Sequence, residues 1–260
     1  MHEMASPIKL RRSLWLLLIA ILARATPALA QSEPVSRPRC EASPSFRQLF
    51  TGTLRDFRQL PSRDSLGIAA LGGIAALGAH SADGNVTRAF AGQTALDDTF
   101  KSGAVIGGTP FALGAAFATY AIGNALSKPC VASLGADLVQ AQVIAEALTF
   151  TVKQTTRRAR PEGSGFSFPS GHTTVAFASA TVLQRHFGWK VGVPAYAVAS
   201  YVAASRVEMK RHYLSDVAFG AALGIVAGRT VTVGHGNRLM LSPMVTPDGA
   251  GATFTWIGKR

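Results

Sequence analysis

Three clusters of basic and hydroxyl residues stand out, because together they hold what is needed to handle a tetrahedral anion. The first is KQTTRRARP, running from Lys153 through Arg160 to Pro161. The second is PSGH, Pro169 to His172, and the third is SRVEMKRHYLSD, with Ser205, Arg206, His212 and Asp216. A phosphate ester needs its negative oxygens neutralised while the line of attack on phosphorus stays open. Lys153, Arg160 and Arg206 supply three cations, and the two guanidinium forks can grip oxygens in pairs. Ser170 offers a hydroxyl. Gly171 allows close backbone approach, and its N–H would donate at a helix start, where anions are favoured.

Two histidines divide the remaining work. His212 and Asp216 are four apart, so on a helix they share a face. A carboxylate there would fix the imidazole tautomer and stabilise the ring as it gains positive charge. That makes His212 the candidate nucleophile, forming a phosphohistidine. His172 is left as the acid that protonates the leaving oxygen and then the base that activates water.

Spacing places some of these groups. Lys153 and Arg160 are seven apart, two helical turns, which predicts nearly the same face of one helix, ended by Pro161. Arg206 and His212 are six apart and share no face, so Arg206 belongs at a helix end or turn and His212 on the next helix. Singly, each feature has a plainer reading. The run Arg157-Arg158-Ala159-Arg160 reads as a solvated face or a positive flank. PSGH reads as a turn with Ser170 capping a helix, and one histidine alone is more often structural. LDDTF at 96–100 has adjacent aspartates and reads as a helix start.

The elements that must carry these groups are apolar. Uncharged, apolar-leaning segments recur at 65–79, 102–127, 138–152, 173–184, 191–205 and 217–228, separated by polar or Gly-rich connectors; only the third holds a charge, Glu146. They predict an all-α fold, a bundle of about six core helices over 65–235. Only 102–127 is an uncharged stretch of spanning length, and it contains Pro110; the others run 12–15 residues, the length of core helices. Residues 31–64 form a polar leader with one short helix near 45–60, and 236–260 alternate weakly around a DG turn as a short C-terminal β-hairpin.

Residues 1–30 have the pattern of a signal peptide: KLRR, the apolar SLWLLLIAILA and then ALA, so that the mature chain would begin at Gln31. An uncleaved anchor is the alternative. Both imply export, to the periplasm or the periplasmic face of the inner membrane. The chain carries +12, and without Lys9, Arg11, Arg12, Arg24 and Glu3 the remainder keeps +9. Such an excess favours phosphate groups or anionic lipid surfaces. No basic stripe with interleaved aromatics points to nucleic acid. Export allows one disulfide between Cys40 and Cys130, with two separate buried thiols as the alternative; their spacing is not that of a metal site. The sequence carries no signal for oligomeric state.

Lys-x6-Arg-Pro, then Pro-Ser-Gly-His, then Ser-Arg-x5-His-x3-Asp resembles the signature of the type 2 phosphatidic acid phosphatase family, related to vanadium haloperoxidases and bacterial class A acid phosphatases. All eleven fixed positions are present in order. The resemblance, over about residues 100–230, implies an all-helical core and metal-independent phosphatase chemistry. By it Lys153, Arg160, Ser170, Gly171 and Arg206 bind phosphate, His172 is the general acid and base, and His212 is the nucleophile supported by Asp216. It implies no cofactor, with vanadate able to occupy the cradle as a phosphate mimic, and a lipid phosphate or diphosphate as substrate beside a membrane. Two other readings of the same residues are a vanadate-dependent haloperoxidase and a non-catalytic anion-binding envelope protein.

Overall fold

The computed structural model describes residues 42–92, 94–232, 238–246 and 249–257, all within one compact unit, Arg37–Arg260. The signal segment 1–30, the leader as far as residue 41, and Cys40 lie outside the described residues. Nine helices are described: α1 (Phe46–Gln59), α2 (Arg63–His80), α3 (Asp83–Phe90), α4 (Thr94–Ile106), α5 (Thr109–Ala125), α6 (Pro129–Thr156), α7 (Gly171–Phe187), α8 (Trp189–Glu208) and α9 (Leu214–Val231). After them β1 (Arg238–Thr246) and β2 (Gly249–Ile257) run antiparallel, with Arg238 opposite Ile257 and Thr246 opposite Gly249. The helix expected near 45–60 is α1, set by a capping box. Ser45 Oγ accepts from Gln48 N at 3.3 Å, and Gln48 Oε1 accepts from Ser45 N at 2.7 Å. Asp97 and Asp98 are the fourth and fifth residues of α4, close to its start.

Two expectations about the apolar segments are corrected. The stretch 102–127 is not one rod: α4 stops before Gly107-Gly108, and α5 starts with Pro110 in its first turn, at a bend of 54°. A Cβ on Gly107 would overlap Val202 Cγ1, and one on Gly103 would overlap Ser205, so α4 lies directly against α8. The other helices are also longer than their uncharged cores, because polar residues extend them at both ends. Of the described helices, α6 and α9 are long and apolar enough to cross a membrane; if each bent pair, α2–α3 and α4–α5, counts as one span, the number rises to four.

The core lies between α6, α7 and α9, where Ala141, Ile144, Ala145, Val175, Ala178, Val182, Ala227 and Val231 are buried together. Small residues dominate it because backbones approach closely. On α9, Gly220, Gly224 and Gly228 recur every four residues and so share a face. Their missing Cβ atoms would meet the carbonyl oxygens of Ser170, Thr174 and Ala178 on the α7 side. One turn earlier along the same seam is Asp216, whose carbonyl accepts the Ser170 N–H at 3.1 Å. Helix packing thereby sets the PSGH turn against the start of α9.

Large apolar side chains remain exposed on several helices, among them Leu71 and Leu77 of α2, Phe111 and Ile122 of α5, and Trp189 of α8. Such a surface suits lipid better than water. Cys130, in the first turn of α6, is disulfide-bonded.

Candidate active site

The expectation that Lys153 and Arg160 lie two turns apart on one helix is overturned. The α6 helix ends at Thr156, where Arg157 takes a left-handed conformation with φ 46° and ψ 30°. The chain then leaves helical geometry four residues before Pro161, and Arg160 sits in the connecting loop. That loop folds back on itself: Ala159 bridges Phe166, and Ser167 N donates to Arg158 O at 2.7 Å. Lys153 tethers it from α6, its Nζ donating to Phe166 O at 3.0 Å and Ser167 O at 3.3 Å. Arg160 Nε donates to the same Phe166 carbonyl at 3.3 Å, while Glu162 pairs with both Arg160 and Arg211.

The loop delivers the chain to the start of α7. Ser170 occupies the N-cap position, but its side chain makes no capping hydrogen bond. Fully buried, its Oγ instead accepts from Thr173 Oγ1 at 2.9 Å. Gly171 is the first helical residue and His172 the second, so the free N–H groups and positive end of α7 point out of this turn.

Arg206 lies in the last turn of α8, as its spacing from His212 predicted. It is buried, and its Nε has no hydrogen-bond partner. A buried guanidinium edge without an acceptor is costly, and an anion would satisfy it. Its carbonyl accepts His212 N–H at 3.1 Å, which turns the chain sharply. His212 itself precedes α9 rather than sitting on it, correcting the expectation of a helical pair; Tyr213 is the N-cap and Asp216 lies in the first turn. The two side chains nevertheless meet, His212 Nδ1 standing 3.6 Å from Asp216 Oδ2. That is an ion-pair distance but too long for a hydrogen bond, and His212 Nδ1 has none.

Both imidazoles are held neutral. Burial first, then the Arg206 guanidinium and the competing His212 ring nearby, push His172 down to about 4, with a backbone hydrogen bond at Ala104 opposing. Burial also lowers His212, against the pull of Asp216, with Lys153 and Arg206 acting in the same direction as burial. Arg206 is brought down to about 10, first by burial and then by Arg211 and Arg160. These mutual influences place His172, His212, Arg160, Arg206 and Lys153 in one electrostatic neighbourhood, with an excess of positive charge.

Four residues outside the sequence assignment complete the site. Arg158, assigned to a solvated run, reaches Asp216 Oδ1 at 2.8 Å, Ser215 Oγ at 2.7 Å and Asp83 Oδ2 at 2.7 Å, and lies 4.1 Å above the Tyr213 ring. Asp83, from the start of α3, is buried and also accepts from Ser215 N at 2.9 Å. No motif spacing links residue 83 to residue 158. Beside the site, α5, α6, α7, α8 and the end of α4 form an open apolar cleft of about 300 Å³ lined by Ile106, Ala116, Leu138, Ala180 and Val202. Val202 and His172 both border Gly107, so the cleft and the polar site adjoin.

With this geometry in hand, residues 148–240 match the family model described as PAP2 superfamily. A lipid A 1-phosphatase of Porphyromonas gingivalis is 45% identical over 75 residues, 27% of this chain and 17% of that protein. A decaprenylphosphoryl-5-phosphoribose phosphatase of Mycobacterium tuberculosis is 35% identical over 106 residues, 36% of this chain and 58% of that protein. The chain therefore spans less than two thirds of either relative. Among solved structures, it is similar to a transmembrane PAP2 type phosphatidylglycerolphosphate phosphatase from Bacillus subtilis, with 22% identity, a TM-score of 0.49, and coverage of 72% of this chain and 94% of that one.

Proposed function

We propose that the protein, whose residues 148–240 match the PAP2 superfamily model, is a phosphatase. It hydrolyses phosphomonoesters or diphosphates carried on a lipid, through a phosphohistidine and without a metal ion. The observation that carries this reading is the buried Arg206, whose Nε has no hydrogen-bond partner, in the electrostatic neighbourhood of two imidazoles, the buried His212 and the half-buried His172 at the start of α7.

The phosphoryl group sits at the N-terminus of α7, its oxygens taken by the Gly171 and His172 N–H groups, Ser170, Lys153, Arg160 and Arg206. His212 Nε2 attacks phosphorus in line, and the bond to the leaving oxygen breaks as the new N–P bond forms. His172 gives its proton to that oxygen, so the product leaves as the alcohol or, from a diphosphate, as the monophosphate. Asp216 stabilises the positive charge on the His212 ring. Neutral His172 then takes a proton from water, the resulting hydroxide displaces His212, and inorganic phosphate departs. In the empty site His172 is neutral. A bound phosphate dianion offsets Arg206 and supplies the field that lets His172 carry the proton the first step needs.

Three cations and a helix terminus provide the charge that a metal would otherwise supply. The adjoining apolar cleft and the exposed apolar helix faces support a substrate with a hydrocarbon portion, drawn from the membrane on which the protein resides. The names of the two relatives agree with a phosphorylated lipid class. The test is phosphate release from phosphatidate or a polyprenyl diphosphate in detergent with excess chelator. Wild-type turnover and a loss of at least about 10³-fold in His212→Ala support the reading. Equal activity in both proteins, or strict dependence on added magnesium, contradicts it.

A further inference from the structure

We propose that Arg158 is a positioning residue that sets the Asp216 carboxylate for His212, a role that rests on the phosphatase reading above. Its guanidinium ties together three parts of the chain. Nη1 donates to Asp216 Oδ1 at 2.8 Å and to Ser215 Oγ at 2.7 Å, Nη2 donates to Asp83 Oδ2 at 2.7 Å, and the plane lies over Tyr213. Asp83 is held in turn by Ser215 N at 2.9 Å and Ser215 Oγ at 2.6 Å.

The consequence for Asp216 is geometric. With Oδ1 occupied by Arg158, only Oδ2 is left to face the imidazole, and the Tyr213 N–H fixes that oxygen at 2.8 Å. The carboxylate cannot rotate without losing both bonds. The consequence is also electrostatic. The Asp83 and Asp216 side chains are 5% and 0% exposed, and two buried carboxylates on either side of one guanidinium would repel unless that cation stood between them. Arg158 is that cation. A guanidinium suits the task because its planar fork bonds two acceptors at once, which an ammonium group does not do in the same geometry. Arg158 therefore couples the end of α6 and the start of α3 to the pair that performs the attack. It touches neither the phosphoryl group nor the leaving oxygen.

The test compares the full chain with Arg158→Gln and Arg158→Lys in the same detergent, reading kcat and KM separately. Solution NMR with isotope-labelled histidine reads the tautomer of the His212 ring, assigned through His212→Asn. Arg158→Gln is expected to lower kcat about 10- to 100-fold, the scale of lost orienting partners, with KM within about threefold. Arg158→Lys is expected to fall between it and wild type. The His212 ring is expected to carry its proton at Nδ1, facing Asp216, in wild type and to become a tautomer mixture in Arg158→Gln. A folded Arg158→Gln with wild-type kcat and tautomer overturns the proposal, and so does a loss confined to KM, which would make Arg158 a substrate ligand. If Arg158→Gln does not fold, Arg158→Lys decides: reduced kcat at constant KM supports the role, and wild-type kcat overturns it. A wild-type chain that releases no phosphate counts against the phosphatase reading alone, because the tautomer readout needs no turnover.

Discussion

His212 Nδ1 stands 3.6 Å from Asp216 Oδ2, close enough for an ion pair and too far for a hydrogen bond. The oxygen is already committed to the Tyr213 N–H, and burial keeps the ring neutral. The pair is thus set to tighten when the ring gains charge during attack rather than before it. Asp216→Asn keeps the shape but removes the charge. It should lower kcat by roughly 10²- to 10⁴-fold with little change in KM. Steady-state kinetics on one lipid phosphate check this, and an unchanged kcat would remove Asp216 from the reaction.

Arg206 lends itself to a trade between stability and binding. Its guanidinium is buried with Nε unpartnered, so replacing it with an apolar residue of similar length removes a desolvation cost. Arg206→Met should match or exceed wild type in thermal midpoint without ligand. The rise in midpoint that inorganic phosphate gives wild type, by mass action, should vanish in the variant. A variant that melts well below wild type and still responds fully to phosphate would show that Arg206 serves the fold instead.

His172 gives a pH signature. Its folded value of about 4 lies below the ordinary imidazole value of 6.5, so as pH falls the unfolded chain takes up this proton first. The stability contributed by the neutral ring is complete above about pH 6.5 and is lost as pH drops toward 4. His172→Gln removes that dependence. In phosphate-free buffer, urea unfolding between pH 7 and pH 4.5 should show a shallower decline for the variant than for wild type. Parallel declines would mean that His172 is not held neutral by its surroundings.

The seam between α7 and α9 is the scaffold's own test. A Cβ at Gly224 would overlap the Thr174 carbonyl, so Gly224→Val must push the helices apart. It should cost about 1–3 kcal/mol in denaturant unfolding. It should also reduce activity beyond that loss of folded protein, because the Ser170–Asp216 backbone bond lies two turns of α9 along the same seam. A folded variant of normal activity would show that the seam does not set the site.

Much of the candidate site could be read from the chain because the proposed reaction demands particular residue types. Two imidazoles, a carboxylate, three cations and a Gly at a helix start have few other joint uses, and the structure brings them to one place from three separate segments. What escaped was set by contacts distant in sequence. Arg158 looked like one more member of a basic run because its partner Asp83 lies 75 residues away. The end of α6 at Thr156 escaped because it depends on the left-handed Arg157, and arginine does not advertise that conformation as glycine would. The division of 102–127 was visible in principle as Gly107-Gly108 followed by Pro110, but uniform apolar character masked it. The glycines at 220, 224 and 228 also carried a signal, a four-residue repeat of the kind that brings two helix backbones together.

The most direct measurement of the central claim is to trap the intermediate. The full chain is mixed with phosphatidate radiolabelled on phosphorus and quenched in alkali, where phosphohistidine survives, and the labelled peptide is then mapped. The account predicts label on His212 that forms and decays within a turnover and is absent from His212→Asn. Turnover with no label at residue 212, or label on another side chain that persists in His212→Asn, would contradict it.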